Sequence, residues 1–575
     1  FPYLINDSKD ATLKQQGNNL FRRDTISDLS EIKELQDFDL IVGNPPFGTK
    51  KLLPTITAYC KKENFAQEMV LPFLHKATLL APKGRIALIF NTKVLTNTGR
   101  TYQNFRKWLF NKNYVEKVYN FSILRKAPKF SGGQLFGSAV GPISIIFYQK
   151  ENPKNPKDSI TYYAPKTYIK NDVLEGIVID ASDEKHLPRL ECKNPDSKIW
   201  KIAMWGSYFD FELINKLKSN FLTLKEYINK SNGVWDCTKG IMADSLKPEF
   251  IPENIISPKL IERYSAPNNI LIPNNKYYRK VDKKFINPPY LVFKEGQSNK
   301  KYCASIIDDE EYFTNSLYGF YNNNDFRNSK ILCLFMNSLF SNYFLSLSTS
   351  TWGIERERIN LNELITLPSI IDKLEESQIN FLSNIFDEIV EIKKSDEVIQ
   401  DISHLEKEID QIIYNDILKL TEDEQIIIQD TLDFSLDLFE KQEKSKAVLP
   451  VTTIDLYSER ICKELNDWLD DVDLKVSATH YKIDRNCPLY MVKLSFGNQE
   501  KEAEISKEDI YNELKILDQK LWNEEAKNLY FRKKINYFDR NDVYIIKPNQ
   551  RRFWSQTAAM EDSKSLLVEI LNMKE

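Results

Sequence analysis

Asp37-Phe38-Asp39-Leu40-Ile41-Val42-Gly43-Asn44-Pro45-Pro46-Phe47-Gly48 is the stretch whose reading decides the fold. Phe38, Leu40, Ile41 and Val42 form an apolar run too short for a helix and stopped by glycine and two prolines. Such a run reads as a parallel strand covered on both faces, with its chemistry at the C-terminal end. Consecutive prolines have fixed φ and no N–H, so Asn44-Pro45-Pro46 is a stiff elbow that offers mainly acceptors, the Asn44 side-chain oxygen and the Pro45 carbonyl. Phe47 follows where a flat ring could stack on a planar substrate, and Gly48 lets the chain turn away.

Two convergent acceptors suit an amino group. An exocyclic amine on a base is a poor nucleophile because its lone pair is conjugated into the ring. Holding both its protons on acceptors helps to localise that lone pair for attack on a methyl donor, and a neighbouring aromatic ring suits a base taken out of the duplex. The chain also carries a control. Asn287-Pro288-Pro289-Tyr290 has the same letters, but a polar, basic stretch precedes it and the strand-like Tyr290-Leu291-Val292-Phe293 follows. A reactive elbow must end a strand; this one begins a strand, so it reads as structural.

Downstream of the first elbow, Phe65, Met69, Phe73, Ala77 and Leu80 recur at helical spacing until Pro82-Lys83-Gly84. The spacing predicts strands at 85–90, 114–121 and 143–148 and a basic amphipathic helix over 100–111. Alternating strands and helices predict an α/β fold, a doubly wound parallel sheet of which this chain carries the second half. The polar, proline-marked Asn152-Pro153-Lys154-Asn155-Pro156-Lys157 is read as its end, near residue 155.

The elbow and the Leu79 to Phe90 pattern resemble the N6-adenine-specific DNA methyltransferases of restriction-modification and phage-defence systems. That resemblance implies a Rossmann-like methyltransferase sheet, S-adenosyl-L-methionine as cofactor, and duplex DNA with a flipped adenine as substrate. It assigns the catalytic positions to Asn44, Pro45, Pro46 and Phe47. Asp24, after Phe21-Arg22-Arg23, matches the acidic residue that meets the cofactor's adenine. Phe136, with Phe130 as the second choice, matches the aromatic residue opposite the stacking ring. The glycine-rich cofactor turn expected upstream of the elbow is not in this sequence, and the expectation is that the chain is truncated at its N-terminus.

The resemblance extends through Lys239-Gly240-Ile241, Tyr290 to Lys301, Leu332 to Ser346 and Trp352 to Pro368, which look like a mixed α/β target-recognition domain over 156–370. Its candidate DNA contacts are Lys239, Arg279, Lys280, Lys283, Lys284, Arg356 and Arg358. The charge distribution fits, with +13 over residues 1–370, -13 over 371–450 and -3 over 451–575. A basic body with a separate acidic helical segment is expected, the latter packing on itself or on a restriction or defence subunit. Residues 451–575 read as a small α+β domain, whose Arg551-Arg552-Phe553-Trp554 is a packed terminus by the plainer reading and a DNA contact by the other.

At 575 residues the chain is too long for one core. It lacks an apolar run long enough to span a membrane, and a cytoplasmic location is expected. The seven cysteines are scattered and never spaced Cys-x-x-Cys, so no zinc site is expected. Two other functions share these residues. The elbow also serves amino-methyltransferases acting on RNA or protein, and the missing glycine-rich turn would suit a DNA-binding scaffold with an inactive methyltransferase half.

Overall fold

The computed structural model describes residues 24–27, 37–125, 142–171, 174–242, 250–265, 270–271, 277, 280–297, 301–323, 325–395, 401–472, 474–481, 485–497, 504–506, 510–526 and 528–572. Its first unit is a six-stranded mixed sheet in the order β1-β2-β4-β3-β5-β8. The strands are β1 (Leu40–Gly43), β2 (Arg85–Asn91), β3 (Tyr114–Asn120), β4 (Ile143–Gln149), β5 (Ser159–Tyr163) and β8 (Glu184–Pro188). Helices α1 (Pro54–Lys62), α2 (Val70–Leu80) and α3 (Arg100–Lys112) are the connections.

Alternation along β2 sends Ile86, Leu88 and Phe90 to one face, where they bury against Val70, Leu71 and Leu74 of α2 and Phe105 and Leu109 of α3. The opposite face, with Ile89 and Ile145, meets a second sheet instead of helices. That sheet pairs β6 (Thr167–Lys170) and β7 (Leu174–Asp180) with a hairpin from far along the chain, Trp522–Ala526 and Leu529–Arg532. Ile177 and Leu529 form the contact with the first sheet, and Tyr163 meets the Phe531 ring edge-on.

Four sequence expectations change here. First, β1 is not covered on both faces: it is an edge strand among the described residues, with Leu40 60% and Val42 72% exposed. A short apolar run signals burial without saying how many sides of it are covered. Second, the sheet is not all parallel. β1, β2 and β3 run parallel, but β4 lies antiparallel between β2 and β3. Third, the sheet does not end near residue 155, because β5 adds parallel to β3 and β8 adds antiparallel to β5.

Fourth, the acidic helices are not a separate module. Leu382, Ile385 and Ile389 of the helix Glu376–Lys394, Ile409, and Phe439 share one core with the first sheet and with Leu291, Phe335, Phe340 and Trp352. Their carboxylates dock on the basic body, Asp387 on Lys330 at 2.6 Å and Glu424 on Lys216 at 2.6 Å. The charge split is in part an internal match.

Trp235–Lys239 is β9, the edge of a five-stranded sheet that also contains Leu317–Asn322, Tyr290–Lys294, Ala304–Ile307 and Tyr264–Ser265. Asn287-Pro288-Pro289 does lead into a strand; Tyr290 is buried and its hydroxyl donates to Glu311 O at 2.6 Å. The C-terminal region has its own core of Tyr457, Ile461, Tyr490, Val492, Ile545 and Trp554. Among the described residues no single helix is long and apolar enough to cross a membrane. The apolar pair Phe326–Asn337 and Leu339–Ser348 is bent by 63° and mostly buried in the main core.

Candidate active site

The approach to the elbow is fixed by backbone contacts. Phe38 N donates to Leu80 O at 3.0 Å at the end of α2, and Arg85 N donates to Asp39 O at 2.9 Å. Gly84 makes that crossing possible, since a Cβ there would lie 2.0 Å from Phe38 O. β1 then runs in register with β2, Gly43 opposite Leu88, and both strands end on the same side.

At that end Pro45 is buried, Asn44 and Pro46 are exposed, and Phe47 is half-buried with one side on the main core. Among the described residues the Asn44 side chain makes no hydrogen bond, so its oxygen and the Pro45 carbonyl remain as acceptors. Gly48 turns the chain at φ +126°, a conformation that L side chains rarely adopt, and its carbonyl accepts from Met69 N at 3.0 Å. The elbow is thereby tied to the start of α2.

This tie brings in three residues that the sequence reading missed. Glu68 is completely buried, and its Oε2 takes Lys93 Nζ at 2.7 Å and the Tyr102 hydroxyl at 2.8 Å. Oε1 has no hydrogen-bond partner. Burial, and then Glu68 beside it, push the Tyr102 hydroxyl far up, which keeps it a donor. Lys93 opens the turn after β2, with its own N–H on Asn91 Oδ1 at 3.0 Å. Next to it a buried polar chain crosses the same end of the sheet. Thr92 Oγ1 pairs with Ser144 Oγ at 2.8 Å and with Ser122 Oγ at 3.2 Å, Ser122 Oγ donates to Asn120 Oδ1 at 2.6 Å, and Asn120 donates to the Tyr162 hydroxyl at 2.7 Å.

Asp24 is exposed and closes its own turn, with Oδ1 accepting from Ile26 N at 3.0 Å. Lys76 of α2 donates to Ser27 O at 2.9 Å, which holds this turn against the helix that follows the elbow. Phe136, Phe130 and Arg279 lie outside the described residues.

The remaining predicted DNA contacts fall into two groups. Arg356 and Arg358 are exposed on the loop after Trp352, which residues following β2 and β3 hold directly. Thr96 Oγ1 donates to Ser350 O at 3.1 Å, and Arg125 bonds Glu355 O and the Glu357 carboxylate. Arg358 also pairs with Glu295 at 2.9 Å. Lys280 and Lys283 are exposed, whereas Lys284 is committed to Asp236 at 2.7 Å. Lys239 is half-buried at the end of β9, its ammonium 5.5 Å from the Tyr318 ring centroid. The tail is packed: Phe553 and Trp554 are buried, and Arg552 pairs with Asp180 at 2.6 Å.

Comparison with known proteins places the elbow in a family context. Residues 2–125 match the family model of the Eco57I restriction-modification methylase. The chain is 25% identical over 290 residues to a Methanocaldococcus jannaschii protein named as a type II restriction enzyme and methyltransferase. That alignment covers 49% of this chain and 21% of the relative, so the chain spans about a fifth of its length. Among solved structures, the type IIL restriction-modification enzyme MmeI in complex with DNA is 11% identical, with a TM-score of 0.42 over 72% of this chain and 59% of that one. The type IIG restriction endonuclease BpuSI is 11% identical, with a TM-score of 0.30 over 73% and 55%. The segment that carries Asn44 to Phe47 is thus similar to restriction-modification methylases.

Proposed function

We propose that the protein to which this chain belongs methylates N6 of adenine in a specific duplex DNA sequence, with S-adenosyl-L-methionine as donor, within a restriction-modification system. The observation that carries this reading is the acceptor pair of Asn44 and Pro45 at the C-terminal end of β1, beside Phe47, in the segment similar to restriction-modification methylases. The two oxygens hold the amine protons, and the Phe47 ring, anchored on the core, packs on one face of the extruded base. Arg356 and Arg358 are exposed on a loop bonded to Thr96 and Arg125, which follow β2 and β3, and suit phosphate contacts. Toward the cofactor the reading offers Asp24, one of whose oxygens already accepts from Ile26 N in its own turn.

The test is Asn44→Ala in the full-length protein, assayed for transfer of a labelled methyl group to DNA and for DNA binding. Transfer should fall by at least about a hundredfold, the scale of losing one aimed polar group, while binding stays within a few-fold. Undiminished transfer would overturn the assignment. Offering the same enzyme RNA and protein pools separates the nucleic-acid and protein substrates of such an elbow.

A further inference from the structure

Away from the elbow, a cavity of about 360 Å³ lies at the seam between the strand β8 region and the C-terminal region. One wall comes from residues 181–188 and from the helices α4 (Ile199–Trp205) and α5 (Tyr208–Asn220), the other from residues 532–534, 547–553 and 558–565. Its size is within the range of small-molecule sites, roughly 300–1,000 Å³.

The lining mixes two chemistries. Leu187, Ile199, Phe211 and Phe553 are its apolar members, together with Tyr208, which has 53% of its surface open. Six cations line it as well, Lys185, Arg532, Lys533, Lys534, Lys547 and Arg552. Four carboxylates, Asp180, Glu184, Glu561 and Asp562, lie in or directly behind the walls. The positive surplus of the lining suits a phosphate monoester, which carries about -1.5 to -2 at neutral pH.

The pairing shows which cations remain available. Arg532 and Arg552 are held by Asp180 at 2.7 and 2.6 Å, and Lys534 and Lys547 share Asp562. Lys185 donates to the Gly206 carbonyl at 2.7 Å beside the Glu561 carboxylate, with which no ion pair closes, and Lys533 is exposed. We propose that this cavity binds a mononucleotide, its phosphate between Lys185 and Lys533 and its base against Tyr208 and Phe211. The site is independent of the elbow and of the methylation reading.

Isothermal titration of the full chain tests it with adenosine monophosphate, inorganic phosphate, adenosine and a 5′-phosphorylated dinucleotide as probes. Adenosine monophosphate should bind more tightly than either phosphate or adenosine. Lys185→Met with Lys533→Met should weaken it by roughly tenfold or more, about 1.4 kcal/mol. Tyr208→Ala should weaken the nucleotide and leave inorganic phosphate unchanged. Lys533→Met alone, at an exposed position, keeps the test valid should the double variant not fold, with a smaller loss expected. No binding of adenosine monophosphate, or undiminished binding to the folded variants, overturns the proposal. Tighter binding of the dinucleotide overturns the free mononucleotide and assigns the cavity to a nucleic-acid end.

Discussion

Lys93 and Glu68 differ in what each can do once its partner is gone. Lys93 keeps 16% of its side chain accessible and can extend to water, while the Glu68 carboxylate has no exposure and already leaves one oxygen unpartnered. Lys93→Met should therefore cost about 3–5 kcal/mol, the scale of an uncompensated buried charge, and Glu68→Gln about 1–2 kcal/mol, the scale of weakening one charged hydrogen bond. Urea unfolding of both variants measures the order, which reverses if Lys93 is the more constrained partner. A second buried cation adds a pH effect. Burial pushes Lys201 down to about 7, with its ammonium on Ser346 O at 2.6 Å and over the Trp352 ring. Above pH 7 the native chain sheds this proton and the unfolded chain keeps it up to about 10.5, so this group adds stability as pH rises, at roughly 1.4 kcal/mol per unit. Below pH 7 the whole penalty is present. Lys201→Met should remove that slope, so the difference in unfolding free energy between variant and wild type should shrink from pH 7 to pH 9. At this scale the turn over Asn44 to Phe47 that ends a strand is legible, because proline and glycine punctuate the backbone locally. Glu68, Lys93 and Tyr102 were not, since only the fold brings residues of three elements onto one carboxylate.

Among elements, β1 shows what a sequence pattern can and cannot carry. Its existence and its elbow follow from an apolar run cut by Gly43 and two prolines; its place at an edge depends on what neighbours it, which the run does not encode. The antiparallel entry of β4 was hidden for a related reason: the strand spacing looks like that of any alternating fold, and direction is set by the path of the connection. The second Asn-Pro-Pro-Tyr leads into a strand, as its flanks predict, and that strand buries Tyr290. Gly84 is where the element scale is most exposed to mutation. An added Cβ there meets backbone atoms of Phe38 and Asp39 at 2.0 and 2.8 Å, and neither can yield without moving β1. Gly84→Ala should cost about 1–3 kcal/mol or more and reduce methyl transfer, although the residue lies at the opposite end of the strand from Asn44. Denaturation and transfer assays on that variant check both effects.

Across the whole molecule, separation by charge gives way to shared cores. Cutting at residue 371 would strip Leu382, Ile385, Ile389 and Phe439 from the main core, so the proposed DNA contacts are better tested by substitution than by deletion. Lys280→Gln with Lys283→Gln should weaken binding to all sequences and flatten the slope of log affinity against log salt by roughly 0.9 per lost phosphate contact. Lys284→Gln should add little, because Asp236 already holds that ammonium. An unchanged slope would move the DNA face elsewhere. The seam to the C-terminal region rests on Asp180. Burial alone would raise its carboxyl, but Arg552 and Arg532 beside it hold it below the usual range. Its contribution is thus complete above about pH 4 and is lost as the pH falls further. Asp180→Ala leaves two buried guanidinium groups unpaired and should cost about 3–5 kcal/mol, read as a lower urea midpoint.

The hairpin that covers the back of the first sheet has a consequence for synthesis. Leu529 pairs with Ile177, and the stretch between them is most of the chain. At about 5–20 residues per second a ribosome needs roughly 20–70 seconds after making β7 to deliver the strand that joins it. Through that interval Ile89, Ile145 and Ile177 wait without Leu529, an apolar surface on a nascent polypeptide that a holding chaperone or a pause in translation would have to protect.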